Sequence, residues 1–180
     1  MKRRNPILFF CVALLLIVPL LPTGRASAGP QGKLVYSVAV DLVRGSFQPL
    51  GPVCVQTSVF KQTEEVVWRV RVLDIASGED PGEGGKNLVA LAERGIKVTA
   101  TLENGVSFPM RYGSHPGRPG PGVAAAWFWT VAWRIPADYP TGTLRWWVVV
   151  QDKTGAFVRF DPIGGGTNLP GAQIVVAKGP

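Results

Sequence analysis

A single histidine, His115, bounds the chemistry open to this chain. General acid–base catalysis, a serine–histidine couple and most zinc sites would all have to draw on it. It stands in Gly113-Ser114-His115-Pro116-Gly117. Gly and Pro mark that stretch as a flexible loop, and a catalytic group needs fixed geometry. The expectation is a solvated loop histidine and no enzyme, since no paired carboxylates with a plausible shared cleft appear either.

Cys54, Met110 and His115 together are a soft-ligand set suited to copper. A blue-copper site needs two histidines beside the cysteine, and only one exists. The pattern favours a buried, inert Cys54 and no cofactor, with copper handling by the three residues as the alternative. Asp74, Glu79, Asp80 and Glu83 crowd one stretch, and oxygen-rich loops can bind calcium. The spacing lacks the D-x-D-x-D-G order of an EF-hand, which predicts a solvated acidic loop.

The remaining candidates are aromatic and basic. Phe128 and Trp147 stand one residue out of phase with apolar neighbours, as do Arg69, Arg71, Arg134 and Arg145. If their strands are neighbours, the six form one outward patch able to stack a sugar or contact a protein. The competing reading is arginine–aromatic stacking that only covers a sheet.

The elements that would position these residues alternate with period two, the mark of a strand with one face in a core. Val66, Trp68, Val70 and Val72 alternate with Val67, Arg69, Arg71 and Leu73. Ile96 to Leu102 alternates likewise, and Asn104-Gly105 is a strong hairpin signal. The expected return strand carries Val106, Phe108, Met110 and Tyr112, with Pro109 marking it as an edge strand. Trp127, Trp129, Val131, Trp133 and Ile135 share one face, as do Leu144, Trp146, Val148 and Val150. Shorter strands are expected near 34–42, 53–60, 156–161 and 172–177. Only Lys86 to Arg94 has helical spacing, with Gly95 suited to its C-terminal cap. Loops are expected at 76–86, 113–122 and 161–171. Short strands with turns between them, and no alternation of strand and helix, predict an all-β two-sheet sandwich.

The N-terminus carries an export pattern: Lys2-Arg3-Arg4, an uncharged apolar run from Ile7 to Leu21, then Ala26-Ser27-Ala28. The run, about 15 residues, falls short of the roughly 20 needed to span a bilayer. Residues 1–28 read as a signal peptide and 29–180 as one domain. The whole chain holds 19 Lys+Arg and 12 Asp+Glu, and four of the bases lie in residues 1–28. Fifteen bases against twelve acids remain, a net +3, too little for a nucleic-acid binder. Cys11 leaves with the signal, so Cys54 has no internal disulfide partner.

Three segments carry a family resemblance. Phe60-Lys61-Gln62-Thr63-Glu64-Glu65-Val66-Val67, running into Trp68-Arg69-Val70-Arg71-Val72-Leu73-Asp74, resembles the opening strands of bacterial extracellular immunoglobulin-like and fibronectin-III-like modules. Ile135-Pro136-Ala137-Asp138-Tyr139-Pro140-Thr141-Gly142-Thr143 resembles their corner between two late strands, and Asp152-Lys153-Thr154-Gly155 their polar turn. Thr63 stands where such modules have Gly, Leu144 where the corner tyrosine would be, and Trp146 where a second cysteine would be. The resemblance spans roughly 53–177. It implies an Ig-like antiparallel β-sandwich of about seven to nine strands with one short helix. The expected function is a non-catalytic, secreted or periplasmic module of the cell envelope. Its partner is a protein, an envelope component or a glycan, and it meets the membrane only transiently, through the signal peptide.

Overall fold

The computed structural model describes residues 34–115, 125–163 and 173–180. The segment 1–28 expected to be a signal peptide, and most of the Gly/Pro-rich stretches expected as loops at 113–122 and 161–171, lie outside them. Among the described residues the protein is β-rich, with eleven strands and one short α-helix. No helix among them is long and apolar enough to cross a membrane.

Three sheets form. The first has the order β1 (Tyr36–Arg44), β3 (Glu65–Asp74), β7 (Trp127–Arg134), β6 (Arg111–Ser114), antiparallel throughout. The second has the order β10 (Phe157–Phe160), β9 (Trp146–Gln151), β4 (Lys97–Leu102), β5 (Ser107–Pro109), also antiparallel. The third joins β2 (Val59–Lys61) to β11 (Ile174–Ala177) in parallel, and β11 to β8 (Gly142–Leu144) antiparallel.

The alternating apolar positions meet in one cluster. Trp68, Val70 and Trp129 come from the first sheet, Ala100, Trp146 and Val148 from the second, and Phe60 and Ile174 from the third. Trp68 is fully buried at the join between the first two sheets. Its ring lies 5.6 Å from Phe108 and 6.3 Å from Trp146, centroid to centroid. Offset and edge-on arrangements of this kind are those that aromatic quadrupoles favour. Trp133, expected on the inner face with Trp129, is half-buried and packs on Trp68 and Tyr139.

The expected helix runs from Leu88 to Arg94. Asn87 accepts the Ala90 N–H at its start, and Gly95 closes it at φ 63°, a left-handed cap that a side chain would strain. Leu91 alone is buried from it, so the helix pins the 76–87 loop to the core through one residue.

Three strand expectations need correction. Val106 to Tyr112 is not one return strand: Ser107–Pro109 pairs with β4 in the second sheet, and Arg111–Ser114 pairs with β7 in the first. The chain changes sheets at buried Met110, whose N–H still donates to Val98. Pro109 does lie on an edge strand, where its missing N–H breaks no ladder. The strand expected over 53–60 shrinks to β2, preceded by an isolated bridge from Gln56 to Val43. The late strand of Leu144 to Val150 is divided at Arg145 into β8 and β9, which join different sheets.

The segment before β3 is tied down by a buried charge. Glu64 is 1 % exposed; its carboxylate accepts the N–H groups of Leu50 (2.9 Å) and Lys61 (2.7 Å). Arg44 Nε approaches it to 2.8 Å. A buried carboxylate is tolerable only with such partners. Thr63, just before it, holds φ 74°, the left-handed region where a β-branched residue is strained.

Candidate functional site

The register of the first sheet places the candidate residues in rows across its outer face. One row reads Asp41, Arg69, Thr130, Arg111, each directly opposite the next. Phe128 lies opposite Gly113 one row on, and Arg71, two residues from Arg69, shares that side of β3. Arg134 stands opposite Glu65 at the far end. The inward neighbours Trp68, Val70 and Trp129 are buried, so the polar set faces away from the core.

The four arginines differ in what they touch. Arg69 donates to both Asp41 carboxylate oxygens, at 2.8 and 2.6 Å. That hydrogen bonding holds its guanidinium charged beyond its ordinary range, against the opposing effect of burial. Its guanidinium carbon is also 5.8 Å from the centre of the Phe128 ring. Arg134 lies 3.0 Å from the Phe47 ring centre, a cation–π contact that roofs one end of the face. Arg71 and Arg111 are exposed and make no ion pair among the described residues. His115 stands edge-on to Phe128 at 6.1 Å and is half-buried, not the solvated loop residue expected. Its backbone N–H donates to the Ala126 carbonyl at 2.7 Å, which holds the residue at the end of the β6–β7 pair.

A cleft of about 370 Å³ opens beside this face, between Arg71 and Leu73 on one side and Gly78, Glu79, Glu83 and Lys86 on the other. Its loop is built by Asp80, which accepts the Gly82 N–H at 3.0 Å and the Tyr112 hydroxyl. Burial, and then that hydrogen bond, push the Tyr112 phenol well above its usual range. The Trp127 ring lies against Gly85 at φ 88°, where any Cβ would overlap the indole. The acidic residues expected to form a solvated loop are partly committed to structure. Asp74, hydrogen-bonded by Arg94 at 2.7 Å and by the Ala76 N–H, is held below the usual carboxylate range.

The chain matches no protein-family model, no curated protein and no solved structure.

The expected six-residue patch divides. Arg69, Arg71, Phe128 and Arg134 share the outer face of the first sheet, whereas Arg145 stands at the break between β8 and β9 and Trp147 lies on β9 of the second sheet. Arg145 pairs with Glu103 at 3.0 Å through its side chain, and its N–H donates to the same carboxylate at 3.1 Å. Those bonds lower the Glu103 pKa. Trp147 is half-buried beneath Arg159, 4.3 Å from its ring centre, and Arg159 is itself forked onto Asp161. For Trp147, arginine stacking that covers a sheet describes what is seen, whereas Arg145 is held by its carboxylate partner.

The copper alternative finds its residues in different parts of the fold. Met110 is in the core, His115 beyond the end of β6, and Cys54 on the segment alongside β1. No group of three or more His, Cys, Asp or Glu among the described residues could hold a metal ion. Cys54 is exposed at φ 57°, which corrects the expectation of a buried thiol. With only Gln56 bridging to β1, the segment never acquires the alternation that would turn a cysteine inward.

Asp41, Phe47 and Arg111 were missed. Arg111 had a signal, since it alternates with Met110 and Tyr112. Asp41 and Phe47 had none, because their roles come from partners 28 and 87 residues away in sequence.

Proposed function

We propose that the chain is an exported, non-catalytic binding module with an immunoglobulin-like sandwich, and that it binds through the outer face of the β1–β3–β7–β6 sheet. The strand order supports the architecture. In an immunoglobulin-like module the first, second, fifth and fourth strands form one sheet, and the third, sixth and seventh the other. Treating β8–β9 and β10–β11 as interrupted versions of the last two strands gives that arrangement here, with β5 as an added edge. β1 and β2 are then one N-terminal strand that switches sheets and ends parallel to β11.

The observation that carries the binding assignment is the pair Arg71 and Arg111, cations without an ion pair among the described residues that flank half-buried Phe128 on a sheet face. Unengaged arginine beside an aromatic ring is the composition found at interface hot spots. Asp74, Asp80, Glu64 and Glu103 all hold turns or arginines, which favours a binding over a catalytic reading.

Two measurements test this. N-terminal sequencing of the protein recovered from envelope or medium is expected to begin near Gly29; intact Met1 refutes export. Co-sedimentation with the envelope fraction of the producing cells is expected to fall for Phe128→Ala while circular dichroism is unchanged. Equal sedimentation of the two proteins refutes the assigned face.

A further inference from the structure

We infer that the ligand of this face is an acidic polysaccharide, held by Arg71 and Arg111 with a sugar ring stacked on Phe128. The inference rests on the binding-face reading above and names the chemistry of its partner.

Charge is the first argument. The strands of this face carry Arg69, Arg71, Arg111 and Arg134 against Asp41 and Glu65, and Arg71 also borders the cleft that Lys86, Glu79, Asp80 and Glu83 line, with Asp80 engaged by the Gly82 N–H and the Tyr112 hydroxyl. Asp41 neutralises Arg69 at 2.6 Å, and Arg134 is covered by Phe47. On the strands of this sheet the surplus is therefore concentrated in two guanidinium groups that make no ion pair among the described residues. A guanidinium presents a planar fork that matches a carboxylate or sulfate.

Spacing is the second. β3 and β6 are separated by β7, which sets them about 10 Å apart, and the offset of one residue pair brings the Cα separation to roughly 12 Å. Two cations held that far apart on a rigid sheet suit acidic groups repeated along an extended chain better than one small anion. Phe128 lies between them. Beside it, a Cβ at Gly113 would find no heavy atom of the described residues within 4 Å. With Arg69 5.8 Å from its centre and His115 edge-on at 6.1 Å, the ring would take the apolar face of a pyranose on the side toward Gly113.

Other anionic partners fit less well. A bilayer would require apolar side chains to insert, and none of the exposed large hydrophobic residues belongs to β3, β6 or β7. An acidic peptide has no use for the Phe128 floor and would pair with the free edge of β6 instead.

The test uses the exported protein purified from cells expressing the full chain. Affinity electrophoresis through polygalacturonate is expected to retard it, with retardation falling as salt rises, while neutral dextran leaves it unaffected. Arg71→Glu and Arg111→Glu are each expected to weaken binding about tenfold. Lys97→Glu, on the outer face of the second sheet, is expected to leave it unchanged. Both arginines are exposed and unpaired, so circular dichroism should confirm intact folds. Phe128→Ala is expected to weaken polygalacturonate binding. No retardation, or equal retardation of the arginine variants, overturns the inference. So does poly-L-glutamate or phosphatidylglycerol vesicle binding of equal strength that is indifferent to Phe128→Ala. If envelope co-sedimentation depends on Phe128 but polygalacturonate does not compete, the acidic-sugar assignment falls and the binding face stands. If co-sedimentation ignores Phe128, both fall.

Discussion

Replacing Trp68 by phenylalanine asks whether the centre of the core is held by apolar packing alone. Trp68 has no exposed surface, and its ring meets Phe108, Trp146 and Trp133 at 5.6, 6.3 and 6.5 Å. Its indole N–H is buried without a hydrogen-bond partner among the described residues. Phenylalanine keeps a flat ring and removes the pyrrole edge. The void, about 40 Å³, costs roughly 1 kcal/mol at about 24 cal/mol per Å³. Lost apolar transfer adds about 1 kcal/mol. Removing an orphaned buried donor relieves a desolvation penalty of about 1–3 kcal/mol. These effects nearly cancel, so Trp68→Phe is expected to change unfolding free energy by less than about 1 kcal/mol. Trp68→Ala removes the whole ring and is expected to cost about 3–5 kcal/mol, a large share of a domain's stability. Trp147→Ala, at a half-buried ring under Arg159, should cost about 1 kcal/mol. Urea unfolding followed by far-ultraviolet circular dichroism measures all three, with equal slopes required for the comparison. A loss above about 2 kcal/mol for Trp68→Phe refutes the reasoning, because the indole N–H must then be satisfied, as by a buried water.

Glu64→Gln should cost about 3–5 kcal/mol, because it leaves the Arg44 charge in a site built for a carboxylate. Hydrogen exchange at the Leu50 and Lys61 amides, both donors to Glu64, should quicken in that variant; unchanged protection would mean that the 45–62 segment is held otherwise. Thr63→Gly should stabilise by about 0.5–1 kcal/mol, since relief at φ 74° outweighs the added freedom of the unfolded chain; a net loss would assign the threonine side chain a packing role. The Tyr36 phenol is pushed up to about 12 by burial and by its 2.7 Å hydrogen bond to Asp152. The fold thus binds that proton more tightly than the unfolded chain does. The stability it contributes is complete below pH 10 and lost as pH rises from about 10 to 12. Tyr36→Phe should flatten that alkaline loss, and an unaltered pH–stability curve would exclude the linkage. Asp74 has the opposite sign. Arg94 holds its pKa down, so its contribution is present above about pH 4 and fades as pH falls further; Asp74→Asn should flatten the acid limb of the same curve.

Alternation along the chain determined which side chains point inward. Trp68, Trp129 and Trp146 are buried and Arg69, Arg71 and Arg134 are not, as a two-residue period requires whatever the strand's neighbours. The helix at Leu88–Arg94 and its Gly95 cap were equally legible, because capping is a contact between residues a few positions apart. Which sheet a strand joins is not a local property. Ser107–Pro109 and Arg111–Ser114 share one alternating pattern, and only their hydrogen bonds to β4 and β7 separate them. The same limit divided the outward residues. Phe128 and Trp147 carry the same local signal, yet the first stands beside Arg69 on the face of the first sheet and the second beneath Arg159 on another sheet. Burial of Cys54 was misjudged because residue type stood in for environment where no alternation existed. Period and residue type set the face of each strand, whereas long-range pairing decides which faces become one surface.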